Sequence, residues 1–219
     1  MDFLTLVQRL FSDVNASGTE PTAVTGQQGE ALRLVNWTLD ADEFIQNLWT
    51  RWKYMRATFS ENTVATVATI AKPAGLKQWD YETFFIDGDP LAVVEYDKIK
   101  SEVLDTSQSQ PSRVIIMPDD SLLFEPVPAI VHAITADFYQ SHVPMVNNAD
   151  VSDIPADFHM CIRARAQMLY GNFEEAPEQQ RNGAQIYGEF LGRLQDSQLP
   201  NEENAQYKGS GGFFEVIAE

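Results

Sequence analysis

The stretch Ile154–Leu199, IPADFHMCIRARAQMLYGNFEEAPEQQRNGAQIYGEFLGRLQDSQL, decides how this chain folds. Phe158, Ile162, Ala166, Leu169 and Phe173 recur at spacings of three and four, which is one face of a 3.6-residue helix. Pro155 suits the opening of that helix, because the N–H that proline lacks is unpaired there in any case. Asn172 to Glu178 carries a break, and Pro177 stands where a second helix can begin. Ala184, Tyr187, Leu191 and Leu194, with Phe190 alongside, form the second apolar face. Two short amphipathic helices joined by a tight turn must bury those faces on each other and on further elements. The N-terminal segment is the expected cover.

That segment is itself helical in pattern. Phe3, Leu6, Val7, Leu10, Phe11 and Val14 fall at helical spacing, and Asp2 is placed to cap the helix. Asn15 to Thr25 is a Gly/Ser/Thr/Pro linker. Thr25 and Gln28 then fit a capping box. They predict one long helix reaching about residue 57, roughly 45 Å at 1.5 Å per residue. Its expected buried stripe is Leu32, Val35, Leu39, Ile45, Leu48, Trp52 and Met55. Asp40, Asp42 and Glu43 interrupt that stripe and leave room for a kink or loop.

From Phe59 onward the period changes. Short β-branched and aromatic runs predict strands at 63–70, 81–86, 91–96, 113–117, 121–125 and 129–139. Pro118-Asp119-Asp120 reads as a hairpin turn, 105–112 as an exposed loop and 99–104 as a short helix. The end differs again. NEENAQYKGSGG is polar and glycine-rich, and FFEVIAE closes it with Phe213, Phe214, Val216 and Ile217. The expected class is therefore α+β, a helical bundle formed by N- and C-terminal helices with a β-rich insertion and an extended C-terminal arm. The segments are 1–58 for the N-terminal helices, 59–150 for the insertion, 151–199 for the helical hairpin and 200–219 for the arm.

Acids number 32 against 15 bases among 219 residues, a net charge of −17. Such a surface does not grip nucleic acid, which takes clustered lysine and arginine over phosphates. Repulsion that keeps the chain dissolved is one account of the charge; a wall to which passing DNA does not stick is another. The length suffices for an ordinary hydrophobic core, with no need of a metal or a disulfide. The single cysteine, Cys161, lies on an apolar helix side and is read as a small buried hydrophobe. No run of about 18 apolar residues occurs, and the start lacks the continuous apolar centre of a signal peptide. A soluble intracellular protein is the expectation.

Catalytic patterns are scarce. His132, His142 and His159 stand in no HExxH pattern, and no Cys/His cluster, P-loop or nucleophile elbow occurs. Asp87/Asp89 and Asp119/Asp120 are the closest carboxylate pairs, and both sit in turn contexts that favour aspartate for its own backbone bonding. The one basic-aromatic cluster is Arg51-Trp52-Lys53-Tyr54-Met55-Arg56. It admits three readings: a base-stacking patch, cations complementing a helix C-terminus beside a core stripe, or Arg51, Lys53 and Arg56 meeting an acidic partner subunit.

Several stretches occur in a familiar order: MDFLTLVQRL, LWTRWKYMR, TFFIDGD, LAVVEYDKIK, PSRVIIMPDDSLLFEPVP, ITADFYQSHVP and IPADFHMCIRARAQMLYGNFEEAP. In this collinear pattern the chain resembles the head–tail adaptor (connector) proteins of tailed bacteriophages. The resemblance implies a virion structural protein at the head–tail junction, made in the host cytoplasm. It implies a homo-oligomeric ring, dodecameric in relatives, docked under the portal protein. That ring extends the DNA channel without sequence-specific binding and offers a platform to tail or nozzle proteins. It makes Phe213, Phe214, Val216 and Ile217 the expected portal anchor, and calls for no catalytic residue, cofactor, metal or membrane. A virion-associated hydrolase with a carboxylate pair and a non-viral scaffold are the competing classes.

Overall fold

A computed structural model describes residues 1–199. The helices are α1 (Phe3–Asp13), α2 (Gly29–Asn47), α3 (Tyr96–Ile99), α4 (His159–Phe173) and α5 (Pro177–Gln198). The architecture is mixed α+β, as expected, with the C-terminal hairpin packed on the N-terminal helices. Two compact units result: Met1–Tyr54 with the chain from His142 onward, and Met55–Ser141.

In the helical unit, α4 packs against α1, α2 and α5. Asp2 caps α1 as expected, its carboxylate accepting from Thr5 N at 2.8 Å. The N–H groups of Phe3 and Leu4, orphans of the first turn, donate to the carbonyls of Asp150 and Asn148. Pro177 opens α5, also as expected. The α4/α5 approach is close because two glycines sit in it. A Cβ on Gly171 would lie 2.5 Å from Gln180 N, and one on Gly183 would lie 2.8 Å from Ala164 O.

The predicted long helix is the main correction. The capping box does not form: helix α2 starts at Gly29 after Gln28, whose side chain makes no cap bond. It ends at Asn47, so Trp52 and Met55 are buried outside it. Its inward face is also rotated from the predicted stripe. Leu34, Val35, Thr38, Ala41, Asp42, Ile45 and Gln46 are buried, while Leu32 and Leu48 are 41% and 37% exposed. The cause is Asp42. A carboxylate on the inward face is tolerated because three side chains donate to it, and a pattern built on apolar residues alone then selects the wrong face. A similar shift affects α4: Ile162 and Ala166 are buried, but Phe173 is exposed.

The β-rich unit holds β1 (Arg56–Asn62), β2 (Thr69–Ile70), β3 (Leu76–Trp79), β4 (Phe85–Ile86), β5 (Asp89–Pro90), β6 (Ala92–Glu95), β7 (Gln108–Ser109), β8 (Arg113–Ile116), β9 (Leu122–Glu125), β10 (Val127–Pro128) and β11 (Ala133–Gln140). One sheet runs β1-β11-β4-β5, with β3 also on β11; a second runs β2-β9-β8-β6; β7 and β10 form a short parallel pair. The β1–β11 ladder is antiparallel, from Arg56↔Tyr139 to Asn62↔Ala133. Strands β1 and β3 were not expected: β1 lies where the long helix was predicted to end. The run 63–70 is a strand only at Thr69–Ile70, and the short helix is at Tyr96–Ile99 instead of 99–104. Met117 N donates to Ser121 O, closing the predicted Pro118-Asp119-Asp120 hairpin.

Trp79 sits at the centre of this unit's core. The rings of Phe59, Phe84 and Phe138 lie 5.3, 5.3 and 5.8 Å from it. Its indole N–H donates to Asp120 O at 3.0 Å, so the large ring is buried without leaving a polar atom unpaired.

Candidate interaction surfaces

The basic-aromatic cluster is not on a helix. Arg51 and Trp52 follow the end of α2, Lys53–Met55 form one 3-10 turn, and Arg56 opens β1. These cations therefore do not sit in the last turn of the helix they were expected to end, although Lys53 reaches a last-turn carbonyl of α5. Trp52 is fully buried and stacks on Tyr54 with centroids 5.6 Å apart. Arg51 and Lys53 flank it; Lys53 is exposed, with its ammonium 3.4 Å from Ser197 O. Arg56 belongs to the β-rich unit and is tied there, 2.8 Å from Asp137 and 3.2 Å from Asp80. The anchor residues Phe213, Phe214, Val216 and Ile217 lie outside the described residues.

The carboxylate pairs occupy turns. Asp87 and Gly88, at φ +50° and +91°, form the two-residue turn between β4 and β5. Asp87 Oδ2 lies 2.6 Å from His132 Nδ1, and Oδ1 accepts from Ala133 N at 2.9 Å. Those two bonds, His132 first, hold the Asp87 carboxyl below the usual carboxylate range. Asp119 accepts from the Ser121 hydroxyl and N–H, with the same effect. A general acid needs a carboxyl that keeps its proton near neutral pH, and both shifts run the other way. Among the described residues, no three His, Cys, Asp or Glu side chains converge as metal ligands. Burial pushes the Cys161 thiol up to about 12, away from a reactive thiolate.

A buried polar network surrounds Asp42 instead. Its carboxylate accepts from His142 Nε2 at 3.0 Å, from Gln46 Nε2 at 3.0 Å and from the Ser152 hydroxyl. The Asp42 bond raises the His142 pKa against the opposing pull of burial. The arrangement joins three segments of the helical unit and leaves no nucleophile poised on the imidazole.

The β-rich unit carries an apolar tip that was missed in the sequence. Thr63 N donates to His132 O at 2.9 Å, His132 N donates to Thr63 Oγ1 at 2.8 Å, and Thr66 N donates to Pro128 O at 2.8 Å. These bonds join the β1–β2 and β10–β11 loops. At that junction Val64, Val67, Ile130 and Val131 are 61, 43, 64 and 60% exposed. All four lie in the runs 63–70 and 129–139 that the sequence predicts as strands, since a loop that exposes branched aliphatics has the composition of a strand.

The model of the SU10 adaptor protein family matches residues 1–208. The chain belongs to this family of phage head–tail adaptors. No match is found among curated proteins. The adaptor family is a structural one, which agrees with turn-bound carboxylates. Among the described residues, no helix of the adaptor is long and apolar enough to cross a membrane.

Proposed function

We propose that this adaptor forms a homo-oligomeric ring, a dodecamer, docked under the portal, where it extends the DNA channel and offers a platform to tail or nozzle proteins. The family match over residues 1–208 carries this reading. The net charge of −17 supports a channel wall along which DNA slides, since carboxylates repel phosphates and leave no sites for it to stick. Residues 200–219 act as the arm, with Phe213, Phe214, Val216 and Ile217 seated in an apolar groove of the portal. Of the three cations expected to meet an acidic partner, Arg51 and Lys53 of the helical unit serve as that second contact, while Arg56 is held by Asp80 and Asp137 in the β-rich unit.

Purified portal rings mixed with the full chain test this by light scattering and electron microscopy. A ring of adaptor density on one face of the portal is the expected result. Failure to bind under any condition would refute the docking. Removal of residues 201–219 should abolish or strongly weaken binding; unchanged affinity would refute the anchor while leaving the ring standing.

A further inference from the structure

We propose that in the free adaptor the apolar end of the arm, residues 213–219, lies in the groove between α4 and α5 of its own chain and leaves it for the portal. This rests on the arm reading and deepens it by naming where the anchor is held before docking.

The groove is a cavity of about 440 Å³ between the two helices, bordered by Asp13 of α1. Met160 and Ala164 of α4 and Ile186 of α5 give it an apolar lining, and Met160 and Ile186 are only half-buried. Asn182 and Gln185 line it from α5; both are exposed, and neither side chain is hydrogen-bonded among the described residues. An amide both donates and accepts, so such a pair suits the N–H and C=O groups of a peptide backbone whose apolar side chains settle between the helices. The unbranched Met160 side chain adapts to whichever aliphatic or aromatic group arrives.

Length and composition select the occupant. From Leu199 back to Ile186 is about 20 Å along α5. Residues 200–212 can span up to about 45 Å, so residues 213–219 reach the groove with chain to spare. They bring Phe213, Phe214, Val216 and Ile217, and their charges are Glu215 and Glu219. The groove does not repel those acids. Asp13 is paired with Arg163, and Glu178 lines the adjoining hollow together with Arg181. Exposed Asp157 and Arg9, a turn ahead of Met160 and of Asp13, are of opposite sign. In a chain of net charge −17, a groove whose charges balance is a place where an acidic segment can settle. A tether of this length gives a local concentration on the order of millimolar, so the groove fills at modest affinity. Portal binding must then draw the segment out. Held in the groove roughly nine-tenths of the time, the anchor binds the portal about tenfold more weakly than when free.

Paramagnetic NMR on the full chain tests the docking. Burial keeps the Cys161 thiol unreactive, so Ala218→Cys takes a nitroxide at that position alone. In chains carrying both the nitroxide and isotope-enriched methyls, the Met160 and Ile186 methyl signals should broaden away and return when the nitroxide is reduced. Signals that stay sharp would overturn the docking. Phe214→Asp, which leaves the helices untouched, should restore both signals; unchanged broadening in that variant would mark a tail sweeping past and would overturn it too. Nitroxide chains mixed with separate isotope-enriched chains should show no broadening, and broadening there would overturn docking within one chain in favour of a neighbour's arm. Ile186→Glu should release the arm and tighten portal binding about tenfold. Met160→Glu repeats that measurement should the first variant disturb α5. Unchanged portal affinity in both would overturn the competition and leave the portal reading standing. A full chain that never binds the portal would refute the portal reading, while the methyl signals still decide the groove.

Discussion

Asp42 and His142, 100 residues apart in the chain, meet in the helical unit, with the imidazole Nε2 donating to the carboxylate at 3.0 Å. Asp42 is completely buried, and the same carboxylate takes Ser152 and Gln46. One carboxylate thus ties α2 to the point where the chain returns from the β-rich unit and to the approach to α4.

Removing one partner strands a buried charge. His142→Ala should lower unfolding stability by about 3 kcal/mol, the range for breaking a buried ion pair from one side. Asp42→Asn in that background should recover part of the loss. Urea unfolding of the four proteins of the double-mutant cycle measures the coupling, and additive losses would refute the pair.

The pH dependence follows from signs. The His142 pKa is raised, chiefly by its bond to Asp42, so its contribution is complete below the unfolded value of about 6.5. It is lost as pH rises through the folded value. Melting temperature should therefore fall on the alkaline side of that value, and His142→Gln should flatten the fall.

His159 runs the other way. Its ring is buried, which lowers its pKa, and its Nε2–H donates to Ile154 O at 2.8 Å. The neutral ring is favoured, so its contribution is present above about pH 6.5 and is lost as pH drops toward the folded value. In a proton NMR titration the His159 ring should titrate below His142; the reverse order would contradict both environments.

Two glycines of α5 should respond oppositely to alanine. Gly188 has nothing within 4 Å of an added Cβ, so Gly188→Ala should stabilise by about 1 kcal/mol through helix propensity. At Gly183 the methyl would meet Ala164 O at 2.8 Å, so Gly183→Ala should destabilise by about 2 kcal/mol despite the same gain. Thermal melts of the two variants decide the matter.

Trp79→Ala should cost about 4 kcal/mol through the cavity it opens among three phenylalanine rings. Trp79→Phe should cost less, yet leaves the Asp120 carbonyl without the indole donor it has now. Chemical denaturation followed by circular dichroism separates the two effects.

Local rules carried far in this chain where a single residue type decides the backbone. Asp2 capped α1, Pro177 opened α5, and Asp119 and Asp120 turned the β8–β9 hairpin, each from a bond or a missing bond within a few residues. The tail of α2 was misread because its signal lay elsewhere. Leu48 to Met55 continues a helical spacing on paper, and the alternative, a strand from Arg56, gains its hydrogen bonds only from β11 some 80 positions later. The apolar tip was hidden for the same reason. Val64 and Ile130 become neighbours only when Thr63 and His132 bond across that distance.

By itself the sequence determined the α+β class, the helical hairpin at Ile154–Leu199, the acidic surface and the likeness to phage adaptors, because periodicity, proline placement and charge are local or additive properties. Only the tertiary structure decided which face of α2 points inward, that Asp42 belongs there, and that four aliphatic residues from two loops form one exposed tip. Those outcomes depend on hydrogen-bond partners distant along the chain, and no window of sequence contains both halves of such a bond.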